Sequence, residues 1–85
     1  MKVGKRKSDQ VLEMTEENTA TSDSVSQKMG ISRIHAANIL KSLWQYGHLT
    51  RFQINVKEVG GRFYRFDISS SGINRLKWLR SEGRL

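Results

Sequence analysis

The 85-residue chain has no cysteine and no proline. Without cysteine, neither a disulfide framework nor a thiolate zinc site can form, and the composition fits a reducing compartment. Its two histidines, His35 and His48, stand thirteen positions apart with no HxxxH or HExxH arrangement around them, so no metal site is expected. No apolar run approaches the roughly 18 residues that cross a bilayer. The basic start MKVGKRK leads into acidic and polar residues rather than an apolar signal segment. A soluble cytoplasmic protein is expected. Catalytic signals are missing as well: no nucleophile–base pair, no phosphate-cradling loop and no ligand cluster. Glu13, Glu16 and Glu17 read as surface carboxylates of a charged helix. An enzyme is not expected, nor is a cofactor or a small-molecule ligand.

Acids are scarce in one part of the chain only. Residues 1–23 carry four basic and five acidic residues, whereas residues 24–85 carry eleven basic and three acidic ones. The overall charge of +7 therefore lies in the later part. Such an imbalance suits a polyanionic partner, nucleic acid foremost, although a basic surface kept for solubility has the same composition. At this length the chain is a single domain with a thin core, hiding a little over about 60% of its unfolded surface. Surface binding suits that size better than a deep pocket does.

Residues 1–8 read as a flexible basic arm, and 9–85 as the domain. Asp9 to about Asn18 has helix composition, with Val11, Leu12 and Met14 as its apolar set; Asn18-Thr-Ala-Thr then breaks it. Ser22 is expected to cap a short second helix with Val25 and Met29 as its stripe, ended by Gly30. Ser32 caps a third, Arg33 through Tyr46, in which Ala36, Ile39, Leu40 and Leu43 fall at i, i+3, i+4 and i+7, and Gly47 ends it. From Thr50 to Lys57, Phe52, Ile54 and Val56 alternate with Arg51, Gln53, Asn55 and Lys57, the pattern of a half-buried strand. Gly60-Gly61 signals a hairpin, and the returning strand sets Tyr64, Phe66 and Ile68 against Phe63, Arg65 and Asp67. Ser69-Ser-Ser-Gly72 opens a last helix with Ile73, Leu76 and Leu79. Three helices, a hairpin and a helix make an α+β unit.

The segment Ser22 to Leu49 resembles a helix-turn-helix through Val25, Met29, Gly30, Ile31, Ala36, Ile39, Leu40 and Leu43. Gly30 and Ala36 are the small residues that a steep helix crossing needs. With GISRIHAANILKSLWQYGHL followed by a wing and then YRFDISSSGINRL, residues 22–80 resemble the winged helix-turn-helix domains of transcription regulators of bacteria, archaea or their viruses. That resemblance implies double-stranded DNA as partner, with the third helix in the major groove and the wing on the backbone or minor groove. Winged helices also act as protein-interaction modules within larger complexes, which is the alternative.

The face of the third helix opposite its core stripe shows Arg33, Ile34, His35, Ala37 and Asn38, candidate base contacts without an acid among them. Arg33 can reach guanine in two-pronged fashion, Asn38 can do so with adenine, and Ile34 and Ala37 can touch a thymine methyl. Ser32, Lys41, Arg51, Lys57, Arg62 and Arg65 are the candidate backbone contacts. Phe63 is either core or an exposed contact, and the arm either reaches a groove or only solubilises. A homodimer is expected, with Val11, Leu12, Trp78 and Leu79 as contacts; the alternative for Trp78 and Leu79 is that they cover the core of their own chain. In the homodimer, Lys77 and Arg80 pair with the acids of the first helix across a two-fold axis. Such a protein would sit with the nucleoid.

Overall fold

The computed structural model describes residues 6–56 and 61–83, with the backbone alone for 55, 56 and 61–63. Its elements run α1 (Lys7–Met14), α2 (Ser22–Met29), α3 (Arg33–Gln45), β1 (Leu49–Val56), β2 (Gly61–Ile68) and α4 (Ser70–Ser81). The strands pair antiparallel from Leu49↔Ile68 to Val56↔Gly61. An antiparallel bridge between Ala20 and Phe66, with N–H···O distances of 2.9 and 2.8 Å, ties the α1–α2 connection to the free edge of β2. One core unites these elements. It takes Val11 and Leu12 from α1, Val25 from α2, Ala36, Leu40 and Leu43 from α3, Leu49 and Phe66 from the strands, and Leu76 and Leu79 from α4.

Local chemistry accounts for most boundaries. α1 begins at Lys7, so Lys7 and Ser8 belong to the helix and not to an arm, and it ends at Met14, short of the expected Asn18. At this end the buried Thr15 hydroxyl donates back to the Leu12 carbonyl at 2.6 Å. Thr21, rather than Ser22, caps α2. Its hydroxyl oxygen accepts from the Ser24 amide, and the Ser24 hydroxyl oxygen accepts from the Thr21 amide, a reciprocal capping box. Gly30 ends α2 in the left-handed region at φ 65°, where a side chain would be strained. After α3, Gly47 takes φ 81°; its amide bonds to the Trp44 carbonyl and that of His48 to the Leu43 carbonyl, closing a Schellman turn.

At the junction of α3, β1 and α4 the backbones approach closely. The Ser69 side chain accepts from the Gly72 amide at 3.1 Å and donates to the Gly47 carbonyl at 2.5 Å. A Cβ on Gly72 would stand 2.2 Å from the His48 carbonyl oxygen, so only glycine lets α4 start this close to β1.

The hairpin corrects the expected strand phase. β2 turns Phe66 into the core, with Tyr64 and Ile68 packed against it. β1, however, buries Leu49 and turns Arg51 inward, leaving Phe52 46% and Ile54 40% exposed. Alternation defines two faces but does not say which is inside. Here the first residue, Leu49, is claimed by the core, and Arg51 follows it on the same face. The polar residue thereby forced inward is accommodated by stacking: the Arg51 guanidinium lies 3.7 Å from the Trp44 ring centre and 4.4 Å from that of Tyr64.

Three of the four expected dimer residues are also corrected. Val11, Leu12 and Leu79 are fully buried within the monomer, because a core this thin needs them where α1 meets α4. Trp78 stays 42% exposed, under the Arg75 guanidinium. Nor does Arg80 await a partner subunit. It holds Glu16 of its own chain in a two-pronged pair at 2.9 and 2.7 Å.

Candidate nucleic-acid interface

Gly30 turns the chain between α2 and α3, and the buried side chains Val25, Ala36 and Leu40 bring the two helices together. The Ser32 hydroxyl oxygen then accepts from the His35 amide at 3.1 Å and starts α3. That bond uses one lone pair of the hydroxyl and leaves its proton to donate. The sequence of α3 contains no acid. Its uncovered stripe runs along Ile34, Asn38, Lys41 and Gln45, with Ala37 and His35 on either flank, all exposed. Ile34 is 76% exposed, far more than an isoleucine needs for packing. Gln45 escaped the sequence reading because it lies near the helix end, yet its spacing of four from Lys41 was a usable signal.

Arg33 behaves differently. Its Nε donates to an Asp23 carboxylate oxygen in a short charged hydrogen bond, joining the first residue of α3 to the first turn of α2. That hydrogen bond, more than the charge attraction accompanying it, lowers the pKa of Asp23 and raises that of Arg33. Asp23 could be read from the sequence only as an acid suited to a helix start. Its partner lies ten residues on and becomes a neighbour through the turn.

On the other flank of α3, His35 and Asn38 line a cleft of about 600 Å³ that α3 shares with the start of α1 and with Arg75 of α4. Arg6 and Arg75 stand across it, with Tyr46 at the far end of the helix. Arg75 also faces the buried carboxylate of Asp9 at 3.5 Å. Sequence reasoning missed this edge, because Arg6, Asp9 and Arg75 converge only when α1 and α4 pack together. His48 is tied to the Ser71 hydroxyl through Nδ1 at 3.3 Å.

The candidate backbone contacts are not all alike. Ser32 is exposed beside the outer stripe, and Lys41 is exposed on it. Arg51, expected to reach a phosphate, is instead held between Trp44 and Tyr64, so its role as a free cation is corrected. Arg65 lies on the outer face of the wing, 5.1 Å from the Phe52 ring centre and 3.7 Å from Asp67. Arg62 is described only by its backbone, opposite Asn55, and Lys57 lies outside the described residues. The side chain of Phe63 also lies outside them. Among the described residues no group of three or more histidine, aspartate or glutamate side chains is placed to hold a metal ion, and no helix is long and apolar enough to cross a membrane.

No protein-family model and no curated protein matches the chain. Solved structures do. The protein smu.1704 of Streptococcus mutans UA159 superposes with a TM-score of 0.72 at 21% identity, covering 89% of this chain and 74% of its own. ZitR of Lactococcus lactis, as a C30AH42A mutant, superposes at 0.70 with 15% identity, over 88% of this chain and 49% of its own. A possible transcriptional regulator of Methanosarcina mazei Go1 superposes at 0.64 with 19% identity, over 91% and 69%. The chain thus spans about half of ZitR and more of the other two. Four helices and an antiparallel two-stranded wing, in this order and superposing on these structures, make the chain a winged helix-turn-helix of the α+β class.

Proposed function

We propose that this domain binds double-stranded DNA sequence-specifically as part of a transcription regulator, with α3 in the major groove and the wing on the backbone or minor groove. The observation that carries the reading is the outer stripe of α3: exposed, free of acids, and set on a helix-turn-helix. Arg33 suits guanine and Asn38 adenine, Ile34 and Ala37 suit a thymine methyl, and His35 stands at the same edge. Ser32, Lys41, Arg62, Arg65 and Lys57 supply hydrogen bonds or charge for phosphates. The domain is read as a binding module rather than an enzyme, in keeping with the possible transcriptional regulator among the structures it superposes on. Its place of work is then the cytoplasm, with the nucleoid.

Because one winged helix covers only about 600–1,000 Å² of interface, the reading extends to a symmetric homodimer on half-sites about one helical turn apart. Trp78 of α4 is the residue still exposed among those expected to serve it.

Duplex selection from a random pool, followed by mobility shifts in rising salt, tests the function. Binding at about 50 mM salt that weakens steeply as salt rises is the expected result. No shifted duplex at that salt would sink the reading. Phe52 and Ile54, apolar and exposed on the wing, favour the second reading, a protein-interaction module. Such a module would bind its partner with little dependence on salt.

A further inference from the structure

The geometry points to Asp23 as a residue that sets sequence preference by positioning Arg33: its carboxylate holds Nε, so that the guanidinium presents its two terminal amino groups end-on to a single guanine. This inference rests on the reading of α3 as a recognition helix. Arginine carries five N–H donors, one on Nε and two on each terminal nitrogen. With Nε donating to Asp23, the paired terminal nitrogens remain to meet guanine O6 and N7, the two acceptors on its major-groove edge. The side approach through Nε is already taken.

Stability alone does not account for the pair. Its side chains are 69% and 46% exposed, and ion pairs so open to water contribute little to folding. Nor does charge favour Asp23 here, since a carboxylate at the edge of a DNA-binding face repels phosphates. What the pair does is restrict a long side chain before DNA arrives, so less conformational freedom is lost on binding. It also restrains Arg33 from swinging to a phosphate, which would add affinity without discrimination. Asp23 thus trades some affinity for preference at one base pair. It acts through Arg33 and is a positioning residue.

The test uses the full chain and the duplex chosen by selection, compared with the same duplex changed at the one base pair whose preference Arg33→Ala removes. One two-pronged arginine–guanine pair accounts for roughly 5- to 150-fold of discrimination. Asp23→Asn, nearly the same in shape, is expected to lower that ratio by about tenfold or to the limit set by Arg33→Ala. It should leave binding to a scrambled duplex unchanged or slightly tighter, with a salt slope that is equal or steeper by up to about one, as the released Arg33 meets a phosphate. Arg33→Lys, which keeps the charge but has no Nε to hold, should lose discrimination likewise. In an Arg33→Ala background, Asp23→Asn should change discrimination no further. A carboxylate that merely stabilised the start of α2 would alter melting temperature and leave the base preference intact. Unchanged preference in folded Asp23→Asn, with preference lost in Arg33→Ala, overturns the proposal and leaves α3 as the reader. If no single base pair loses preference in Arg33→Ala, the assignment of Arg33 falls, and the proposal with it. If the unsubstituted chain selects no sequence at all, the functional reading itself has failed. Should Asp23→Asn fold poorly, Asp23→Ser, which keeps a helix-start side chain without the charge, decides the same comparison.

Discussion

Ser32 serves two demands that can be separated. Its hydroxyl oxygen caps α3, while its hydroxyl proton is left to donate, and a phosphate can accept it. Ser32→Ala removes both and should cost about 1 kcal/mol of stability, whereas Ser32→Gly should cost only a few tenths. Both should weaken every duplex alike, read by denaturation and by mobility shift. Gly72 allows no such latitude. Gly72→Ala puts a methyl group into the His48 carbonyl and must push α4 away from β1. A loss of about 1–3 kcal/mol is expected from chemical denaturation, the range for overfilled sites. Arg51 belongs with these structural residues. Arg51→Ala should lower stability by about 1–2 kcal/mol through the lost ring stack, and should leave the salt slope of DNA binding unchanged. A slope reduced by about one would return Arg51 to the phosphate contacts.

Between elements, the pair of Glu16, just beyond α1, with Arg80 of α4 clasps the two terminal helices from outside their shared core. The hydrogen bond from Arg80 lowers the Glu16 pKa below its ordinary value. Because the folded-state value is the lower one, the clasp contributes fully above the ordinary glutamate range and is lost as pH falls through the lowered value. Glu16→Gln should therefore be less stable than the parent at neutral pH, with the difference vanishing in acid, as pH-dependent melting would show. An equal difference at about pH 3 would mean that the carboxylate charge does not hold the helices together. At the wing, Lys57→Ala and Arg62→Ala should weaken all duplexes uniformly and flatten the salt slope by about one each. α3 behaves in the opposite sense: Asn38→Ala should cost about 1–3 kcal/mol on the selected site alone.

For the whole molecule, charge and size act together. Eleven basic residues against three acids in residues 24–85 place a positive field on a domain too small to cover much DNA alone. A dimer mass at micromolar concentration, free or on DNA, is expected from sedimentation. A monomer in both states would leave one copy per site. With Val11, Leu12 and Leu79 committed to the core, the weight of such a contact shifts to Trp78, and Trp78→Ser should reduce the dimer without unfolding the monomer.

By itself the sequence determined what short-range physics decides. The i, i+3, i+4, i+7 stripe of α3 is a property of helical geometry, so Ala36, Leu40 and Leu43 had to face one way and Ile34, Asn38 and Lys41 another. Gly30, Ser32 and the Ser69–Gly72 turn act on backbone a few residues away, and they too were legible, along with the winged helix they assemble. The start of α1 was misjudged by two residues and its end by about four, since α1 begins without a side-chain cap, and the cap of α2 by one, since Thr21 and Ser22 could each have capped it. Only the tertiary structure decided which face of β1 is inside. Alternation is symmetric, and the choice fell to Leu49 and to the two rings that receive Arg51. It decided likewise that Val11, Leu12 and Leu79 fill one small core rather than a dimer contact. It also paired Glu16 with Arg80 and Asp23 with Arg33. Each of those pairs depends on where helices cross, and a charge in a sequence does not reveal which opposite charge the folded chain will bring beside it.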